Sequence, residues 1–326
     1  MLGAGAPGSL GGCAPGAGAR LPSGLVATVL PVYLVHWDAP EWCGSAARSL
    51  LASEGVEVRL TVIDNGQHRP EPLASFLPAG TPVVACGGNR GYTGGANAAL
   101  DHWAAHHPTS ALAVIGSHDL HVGPSTLADL VAAMEAHPRC GVMGPGLVAP
   151  KASSGGVAVG DRWLQVPLEG APTLAVRDWA NGTCLLLRRA CVDEVGRFDE
   201  RLGSYLEDVD FSLRARDQGW QVLVLTSAPA WGLGSVSERA STDKGVNTVL
   251  LAAKRRGLRG AGVWTTRLVG RSVLDGVGAV APWRPAQARA RSAARARDQA
   301  RVLARLARDR RRLAAMASRG EGRPPS

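Results

Sequence analysis

The sequence of 326 residues lacks the long apolar runs and the cysteine patterns that mark membrane-spanning and disulfide-rich proteins. No stretch of 18 residues is free of both charge and proline, so we expect no membrane-spanning helix. The six cysteines form no C-x-x-C pair and no close framework, which argues against a zinc site and a disulfide scaffold. Residues 1–24 are rich in Gly, Ala and Pro but have neither a basic start nor a continuous apolar core. We expect them to be a disordered lead-in rather than a secretory signal, and the protein to be cytoplasmic.

Positive charge is concentrated at the C-terminal end of the sequence. The net charge is +9, but residues 284–326 contain 13 Arg and three acidic residues and so carry +10. Residues 1–283 contain 23 basic and 24 acidic residues and are close to neutral. This asymmetry indicates a basic appendage with an anionic partner, such as phospholipid, polyprenyl phosphate or nucleic acid. Nucleic acid is not expected, because the core shows no helix-turn-helix, no finger spacing and no aromatic stacking platform.

Apolar runs rich in Val and Leu alternate with helix-like segments in the first half of the sequence. The predicted strands are residues 29–36, 58–64, 82–86 and 111–116. The predicted helices are residues 41–52, 95–105 and 125–136. This alternation predicts an α/β fold with a mainly parallel central sheet. Ligands of open parallel sheets bind outside the carboxyl ends of the strands, so we expect the functional site where these strands stop.

Each of these strands is followed by polar residues or by a glycine-rich run. The candidate site residues there are His36, Asp38, Asp64, Asn65, Asn89, Arg90, Gly95, Asn97, Asp119 and His121. A carboxylate can accept hydrogen bonds from a ribose hydroxyl or a base imide, while Arg and glycine-rich backbone suit a diphosphate. Together they predict a nucleotide-binding cleft. For Asp64-Asn65-Gly66 taken alone, a simple turn is an equal alternative.

The glycine-rich run GGNRGYTGGANAAL matches neither the dinucleotide fingerprint nor a Walker loop. It is either a loop that needs positive φ before a helix, or part of the cleft through its polar side chains. Asp119 and His121, spaced as D-x-H after a strand, could hold one divalent cation. Carboxylate oxygen with imidazole nitrogen suits Mn²⁺, and the carboxylate also suits Mg²⁺. The alternative is an ordinary surface Asp and His.

The most specific segment is an acid-rich turn in the second half of the sequence. A buried strand at residues 183–187 leads through a short helix to Glu207-Asp208-Val209-Asp210, at the start of a helix that ends near Gly219. Carboxylates are favoured in the first turn of a helix by its dipole. Three acids in four residues exceed what a helix start requires, and they indicate a functional site.

Four segments follow one another in a characteristic order along the chain. They are VYLVHWDAPEWCGSAARSLLAS, TVIDNGQ, NRGYTGGAN and GRFDERLGSYLEDVDFSLRARDQGW. Together they resemble glycosyltransferase family 2, in particular its rhamnosyltransferase-like branch, over residues 29–234. The resemblance implies a GT-A nucleotide-binding fold. We therefore expect a GT-A domain at residues 25–253 and a helical, Arg-rich extension at residues 254–326.

The resemblance also implies an activity, the inverting transfer of a sugar from a nucleoside diphosphate to an acceptor hydroxyl. Asp208 corresponds to the catalytic base, and Glu207 to a residue that shapes the acceptor site. Asp64 corresponds to a contact of the donor base or ribose, and Asn89 and Arg90 to the lining of the nucleotide pocket. The branch makes dTDP-rhamnose the first donor to consider. The acceptor would be a cell-envelope glycan, a lipid-linked sugar or a secondary metabolite.

Asp119 takes the place of the family's metal-binding aspartate, and the sequence departs from the family pattern around it. Ser117-His118-Asp119 replaces Asn-Pro-Asp, and AWGLGS lacks the histidine that the family often has after the last strand. The first strand ends in His36-Trp37-Asp38, where the family often has Tyr-Asn. Mn²⁺ or Mg²⁺ is the implied cofactor. The departures leave one alternative, a catalytically degenerate GT-A protein that serves as a binding or partner subunit.

The C-terminal extension contains a predicted basic amphipathic helix. At about 100° per residue, Val302, Leu306 and Leu313 lie opposite a narrow basic stripe. The stripe consists of Arg297, Arg301, Arg305, Arg308 and Arg312. One interpretation is binding to the anionic inner face of the plasma membrane, which suits a lipid-linked acceptor. The other is that the apolar side packs on the domain or on a second copy of the chain. Residues 257–283 are expected to form a further helical pair docked on the catalytic domain.

Overall fold

The computed structural model describes residues 28–66, 73–148, 154–159, 162–167, 169–232 and 240–318. The predicted lead-in at residues 1–24 lies outside the described residues. The strands are β1 Thr28–His36, β2 Val56–Asp64, β3 Val83–Ala85, β4 Leu112–Ser117, β5 Leu120–Val122, β6 Cys140–Leu147, β7 Gly155–Val159, β8 Arg162–Gln165, β9 Leu174–Arg177, β10 Trp179–Ala180, β11 Cys184–Arg188 and β12 Gln221–Gly232. The helices are α1 Pro40–Leu51, α2 Gly91–His106, α3 Thr126–Glu135, α4 Arg189–Val195, α5 Glu207–Asp217, α6 Ala240–Val280, α7 Ala286–Arg308 and α8 Arg310–Ala317. A short 3-10 helix, Leu73–Phe76, precedes β3.

A mixed central sheet forms the middle of the fold. Among the described residues its strand order is β3-β2-β1-β4-β11-β6-β12-β5, and β9 also pairs with β12. Strands β3, β2, β1 and β4 are parallel, and so are β6 and β12. Strand β11 is antiparallel to both of its neighbours, β4 and β6. A smaller sheet has the order β10-β7-β8. The predicted α/β class with a largely parallel central sheet is confirmed.

Both faces of the central sheet are covered by helices. Along β1, Leu30, Val32 and Leu34 pack with α1 and α3, while Tyr33 and Val35 pack with α2 and α5 on the other face. Burial on both faces explains why the strands read as continuous apolar runs rather than as alternating patterns. Because neither face of these strands is polar, we expect the functional side chains at the ends of the strands.

The register of the parallel strands brings their carboxyl ends to one edge of the sheet. His36 at the end of β1 pairs with Asp64 at the end of β2, and Val35 pairs with Ser117 at the end of β4. The polar segments that follow these strands therefore start within one or two strand spacings of each other. This edge is where the sequence predicts the functional site.

Most predicted elements agree with the observed ones to within two residues, but α2 begins earlier than predicted. It starts at Gly91, which has a φ of 71°, and not at Gly95. The glycines have low helix propensity, so the sequence favours a loop there. The side chains of Asn65 and Asn89 bind the backbone of this first turn, and these bonds offset the low propensity.

The C-terminal helices pack on the acid-rich part of the domain. Helix α6 is broken at Arg256 and Gly257, and its first part packs on Leu202 through Val246 and Leu250. The predicted basic helix is present as α7 and α8. Its apolar residues Val302 and Leu306 are buried against this part of α6. The apolar side of the basic helix therefore packs on the protein, as the second interpretation of the sequence predicts.

Residues 258–280 form one continuous helical segment along α7, and not the helical pair that we expected. In the part of the chain that the structure describes, no helix is both long and apolar enough to cross a membrane.

Candidate active site

His36 and Asp64 form a hydrogen-bonded pair at the carboxyl edge of the sheet. The backbone N–H of Ala39 donates to His36 Nε2 over 3.2 Å, so the ring proton lies on Nδ1. Nδ1 then donates to Asp64 Oδ1 over 3.0 Å, and Gly66 N–H donates to the same oxygen over 2.9 Å. The imidazole is buried and the carboxylate is half-buried. The pair holds Asp64 in one orientation at the mouth of the predicted cleft. Asp38, two residues after His36, is exposed and has a φ of 49°.

Asn65 and Asn89 shape the glycine-rich turn from inside. Asn65 Oδ1 accepts the backbone N–H of Arg90 over 2.8 Å, and its Nδ2 donates to Gly91 O over 2.9 Å. Asn89 Oδ1 accepts the N–H of Gly91 over 2.8 Å. These contacts use one donor and both amide oxygens within the protein. Both residues lie at the predicted cleft, but their side chains bind the backbone of the cleft wall and do not point into the cleft as free donors and acceptors.

Gly95, Asn97 and Arg90 connect α2 to its surroundings. A Cβ added at Gly95 would overlap Val35, so the glycine allows close packing of α2 on β1. Asn97 Oδ1 accepts Phe198 N–H over 3.0 Å, and Nδ2 donates to Phe198 O and to Glu200. Arg90 donates to the same Glu200 carboxylate over 3.0 Å. The structure thus gives these three residues wall-building contacts, and their contact with a donor stays a prediction.

Asp119 and His121 lie together at the start of β5, but their side chains have different partners. Ser117 Oγ donates to Asp119 Oδ1, and the carboxylate is buried. His121 Nδ1 donates to the backbone oxygen of Asp119 over 3.2 Å, so its Nε2 accepts the Ser45 hydroxyl over 2.9 Å. Both nitrogens of His121 are therefore used within the protein in this conformation.

His118 is a buried residue at this edge to which the sequence assigns no role. Its ring is 7% exposed and packs edge to face on His36, with 5.8 Å between ring centroids. Burial lowers the pKa of His118, and the neighbouring Asp119 opposes that shift. Nε2 of His118 has no hydrogen-bond partner among the described residues. The residue presents a neutral imidazole between the Asp64 and Asp119 sides of the site.

The acid-rich turn is held in a strained backbone conformation. Tyr205 and Leu206, which precede the acids, have φ values of 74° and 67°, a region that costs a non-glycine residue about 1–3 kcal/mol. Hydrogen bonds from the buried Asn247 of α6 offset the cost of this conformation. Its Nδ2 lies 2.7–2.8 Å from three backbone oxygens of the turn, those of Leu202, Ser204 and Tyr205. Sequence reasoning missed Asn247, because it lies 40 residues after the acids and outside the resemblance.

Glu207 and Asp208 face the loop that precedes β11. Asp208 Oδ2 accepts Gly182 N–H over 2.7 Å, and Oδ1 accepts Val209 N–H over 2.8 Å. A Cβ added at Gly182 would lie 3.2 Å from Asp208 Cβ and 3.4 Å from Glu207 Oε1. The glycine therefore gives the two acids room. Sequence reasoning missed Gly182, although it stands in an Asn-Gly-Thr turn directly before a strand.

The two carboxyl groups differ in how readily they ionise. Burial raises the pKa of Glu207 well above its ordinary value, and the adjacent Asp208 raises it further. Glu207 Oε2 has no hydrogen-bond partner among the described residues. Burial also raises the pKa of Asp208, but the N–H groups of Gly182 and Val209 stabilise its carboxylate and oppose the shift. The two backbone donors favour the charged form of Asp208, so Asp208 is the acid of the pair that ionises more readily.

Tyr92 connects the acid pair to Asp119. Its hydroxyl donates to Gly182 O over 2.7 Å. Burial raises the pKa of Tyr92 well above its usual range, and the charges of Glu207, Asp208 and Asp119 add to that shift. A neutral tyrosine thus lies among the acids predicted for base and metal functions. The structure brings these acids together around residues 181–183.

Comparison with known proteins shows which sequences and folds this chain is similar to. No family model matches the chain. The N-acetylglucosaminyl-diphospho-decaprenol L-rhamnosyltransferase of two Mycobacterium tuberculosis strains is 29% identical over 228 residues, which is 61% of this chain and 74% of that protein. The mannosyltransferase PcManGT from Pyrobaculum calidifontis, solved with GDP-Man and Mn²⁺, shares the fold with a TM-score of 0.54 at 14% identity. That match covers 89% of this chain and 90% of the other. The chain has the GT-A fold, and its sequence is similar to that of these glycosyltransferases.

The sequence of the chain is rhamnosyltransferase-like, as its motifs predicted. O-antigen biosynthesis protein RfbC of Myxococcus xanthus is 30% identical over 221 residues. The match covers 62% of this chain but 17% of that longer protein. These relatives connect the chain with proteins of polysaccharide biosynthesis.

Asp119 is placed where it could bind a cation whose remaining ligands come from a bound diphosphate. The described residues contain no group of three or more His, Cys, Asp or Glu side chains that could hold a metal. Mg²⁺ sites, however, often combine one or two carboxylates with substrate phosphates. Asp119 Oδ2 faces the end of β12, where a Cβ added at Gly232 would lie 3.7 Å from it. This buried carboxylate at a strand end suits such a site, whereas His121 would first have to leave Ser45.

The third acid of the turn, Asp210, has a structural partner. Its side chain is fully buried and lies 2.7 Å from Nζ of Lys254 in α6. The same Nζ lies 2.7 Å from Asp199, which also pairs with Arg201. Arg214 completes the pairing of Asp210 from within α5. Asp210 therefore fixes α5 to the C-terminal helices and does not face the acid pair.

Proposed function

We propose that the protein transfers a sugar, with inversion at the anomeric carbon, from a nucleoside diphosphate to an acceptor hydroxyl. The bond from the anomeric carbon to the diphosphate oxygen breaks as the acceptor oxygen forms its new bond. The acceptor proton passes to Asp208, and the nucleoside diphosphate leaves with the bonding electron pair. The observation that carries the proposal is the Asp208 carboxylate, oriented by Gly182 and Val209 beside the buried Glu207.

Asp208 is suited to act as a general base. Its two backbone hydrogen bonds fix the carboxylate and leave one lone pair on each oxygen for an acceptor hydroxyl. Its raised pKa makes it a stronger base than an exposed aspartate. Glu207, whose pKa is raised by burial, would shape the acceptor side and, when protonated, donate a hydrogen bond to the acceptor.

The donor is proposed to bind along the carboxyl edge of the sheet. Asp64, oriented by His36, would accept hydrogen bonds from the ribose or the base, with Asp38 beside it. The turn held by Asn65 and Asn89 would approach the diphosphate with its backbone. Arg90, Gly95 and Asn97 would contribute to donor binding indirectly, because their contacts within the protein hold the wall of the cleft in place. Our first choice of donor is dTDP-rhamnose, which the rhamnosyltransferase-like sequence supports.

Asp119 is proposed to hold Mn²⁺ or Mg²⁺ together with the phosphate oxygens of the donor, with His121 as a further candidate ligand. The cation would supply positive charge to the departing diphosphate. Ser117 keeps Asp119 oriented through its hydroxyl. His118, neutral and adjacent, adds no repulsive charge to a bound cation.

The acceptor is proposed to be a glycan or a lipid-linked sugar of cell-envelope polysaccharide biosynthesis. The acceptor named for the mycobacterial relative is a decaprenyl diphosphate sugar, and this supports a lipid-linked choice. A cavity of about 540 Å³ lies between the glycine-rich turn and the C-terminal helices. Its lining contains four arginines and two acidic residues, and this excess of positive charge suits an anionic part of an acceptor. The protein would then work in the cytoplasm, at the inner face of the plasma membrane.

Ligand-induced stabilisation tests donor binding. The protein is heated with dTDP, UDP, GDP or CDP, each with and without Mn²⁺ or Mg²⁺, because a ligand that binds only the native state raises Tm. We expect a selective rise with dTDP that increases with metal. No rise with any nucleotide, in protein shown to be folded, would contradict the proposal and favour a degenerate partner subunit.

Substitution of the base tests catalysis separately. Asp208→Asn should lower kcat by about 100-fold or more and keep the nucleotide-induced rise in Tm. Asp217→Asn is the matched control, since Asp217 lies on the same helix and pairs with Arg255 away from the acids. Equal activity of the two variants would exclude Asp208 as the base.

A further inference from the structure

The distal part of α6 presents a row of large apolar side chains to solvent. We call this row the distal α6 face, and its side chains are 41–78% exposed. Its members are Leu258, Val263, Val269, Val273, Leu274, Val277 and Val280. Trp283, in the turn that follows, is 79% exposed. Contiguous apolar patches of this kind mark surfaces that bind a partner or a membrane.

The face is a single apolar strip with one arginine at its start. At about 100° per residue, its seven members fall within an arc of about 160°. Arg267, Arg271 and Asp275 lie outside this arc, whereas the exposed Arg259, next to Leu258, lies within it. Cβ atoms added at Gly262, Gly270 or Gly276, which lie within the arc, would meet no atom within 4 Å. No other described part of the chain covers the strip at these glycines.

The opposite side of the same segment is firmly attached to α7. Asp275 accepts hydrogen bonds from Arg295 over 2.9 Å and from Gln299 over 3.0 Å. A Cβ added at Gly278 would lie 3.0 Å from the hydroxyl oxygen of Ser292. Distal α6 and α7 therefore form a helical hairpin. Because one side of distal α6 packs on α7, its opposite side faces solvent.

Positive charge surrounds the apolar strip. Residues 256–297 contain nine Arg and one acidic residue, Asp275. Two copies of the chain joined through this face would bring two strongly positive hairpins together. An anionic bilayer, in contrast, would neutralise the arginines while its acyl region accepts the valines and leucines. Charge complementarity therefore favours the bilayer over a second copy.

We infer that the distal α6 face and Trp283 insert into the headgroup region of an anionic lipid bilayer, with the surrounding arginines on lipid phosphates. The apolar side of the predicted basic helix cannot insert, because Val302 and Leu306 are buried inside the protein. The inference rests on the proposed function and deepens it, since it names the surface that would bring the active site to a lipid-linked acceptor.

Vesicle sedimentation with the full chain tests the inference. The vesicles contain equal parts of phosphatidylglycerol and phosphatidylcholine, or phosphatidylcholine alone. We expect binding to the anionic vesicles, and a reduction of about tenfold or more in the partition coefficient of Val273→Glu/Val277→Glu. Val176→Glu is the control, because Val176 is 66% exposed on β9, away from the hairpin. It should bind as the wild type does.

Size-exclusion chromatography and nucleotide-induced stabilisation complete the test. The double variant should elute as a folded protein and keep its nucleotide response, since both side chains are already more than half exposed. Equal vesicle binding of wild type and double variant would overturn the inference. So would a wild-type dimer that the double variant converts to a monomer. Vesicle binding without any nucleotide response would instead contradict the proposed function and leave the membrane surface standing.

Discussion

Removal of the Lys254 ammonium should destabilise the protein more than removal of a similar cation nearby. Nζ of Lys254 lies 2.7 Å from Asp199 and 2.7 Å from Asp210. The Asp210 side chain is fully buried, and Asp199 and Lys254 are 11% and 12% exposed. Lys254→Met keeps most of the aliphatic stem but leaves two carboxylates facing each other in a poorly solvated site.

The magnitude follows from what remains after the substitution. Breaking a buried ion pair by removing one partner costs about 3–5 kcal/mol. Asp199 keeps Arg201 and Asp210 keeps Arg214, so we expect the low end, about 3 kcal/mol. With a urea slope of about 3 kcal/mol per molar, the unfolding midpoint should fall by about 1 M.

Arg255→Met is the control, because Arg255 and Asp217 form a partly exposed pair with 26% and 28% of their side chains accessible. The control should lose about 1 kcal/mol or less in free energy of unfolding. Equal losses for the two variants, measured by urea denaturation at pH 7, would refute a stabilising buried network.

The pH dependence gives an independent measure of the same network. Burial alone would raise the pKa of Asp199, but hydrogen bonds from Arg201 and Lys254 hold it well below its usual range. A lowered folded-state pKa stabilises the protein above the unfolded pKa, and this contribution is lost as the pH falls. The difference between wild type and Lys254→Met should therefore shrink below about pH 4, where protonation of the carboxylates removes their repulsion.

Three further outcomes follow from the contacts of the site. Asn247→Ala should lower kcat by about tenfold with little change in donor affinity, because the turn before Asp208 loses its bonds to α6; steady-state kinetics and nucleotide titration separate the two effects. Gly95→Ala should lower the free energy of unfolding by about 1–3 kcal/mol through overlap with Val35, whereas Gly262→Ala, in open space, should raise it by up to about 1 kcal/mol. The raised pKa of Asp208 places the acid limb of kcat/KM above the ordinary aspartate range of about 4; a limb at or below that value would contradict the base assignment.

The carboxyl edge of the sheet could be predicted because parallel strands obey a simple geometric rule. His36 and Asp64, 28 residues apart, become neighbours once both are known to end adjacent parallel strands. The acid pair could be located because its position at a helix start is a local property of the sequence. These predictions need only periodicity, strand direction and short-range helix preferences.

Side-chain partners could not be predicted, because they depend on contacts between distant parts of the chain. Asn97 meets the backbone of Phe198, 101 residues later, and this contact decides that its amide faces the protein interior. Asp208 and Asp210 are indistinguishable by residue type. Lys254, 44 residues beyond Asp210, separates their functions by pairing with Asp210 and leaving Asp208 to the active site.

The attachment of the acid-rich turn to α6 limits how this protein can be recombined with its relatives. Asn247 fixes the backbone before the acids and Lys254 fixes the helix after them, and the two residues lie two helical turns apart on one element. A chimera joined at the end of β12 would exchange both supports while keeping every motif that marks the family. A junction at the break in α6, at Arg256 and Gly257, would keep the catalytic turn with its own supports and exchange only the distal hairpin.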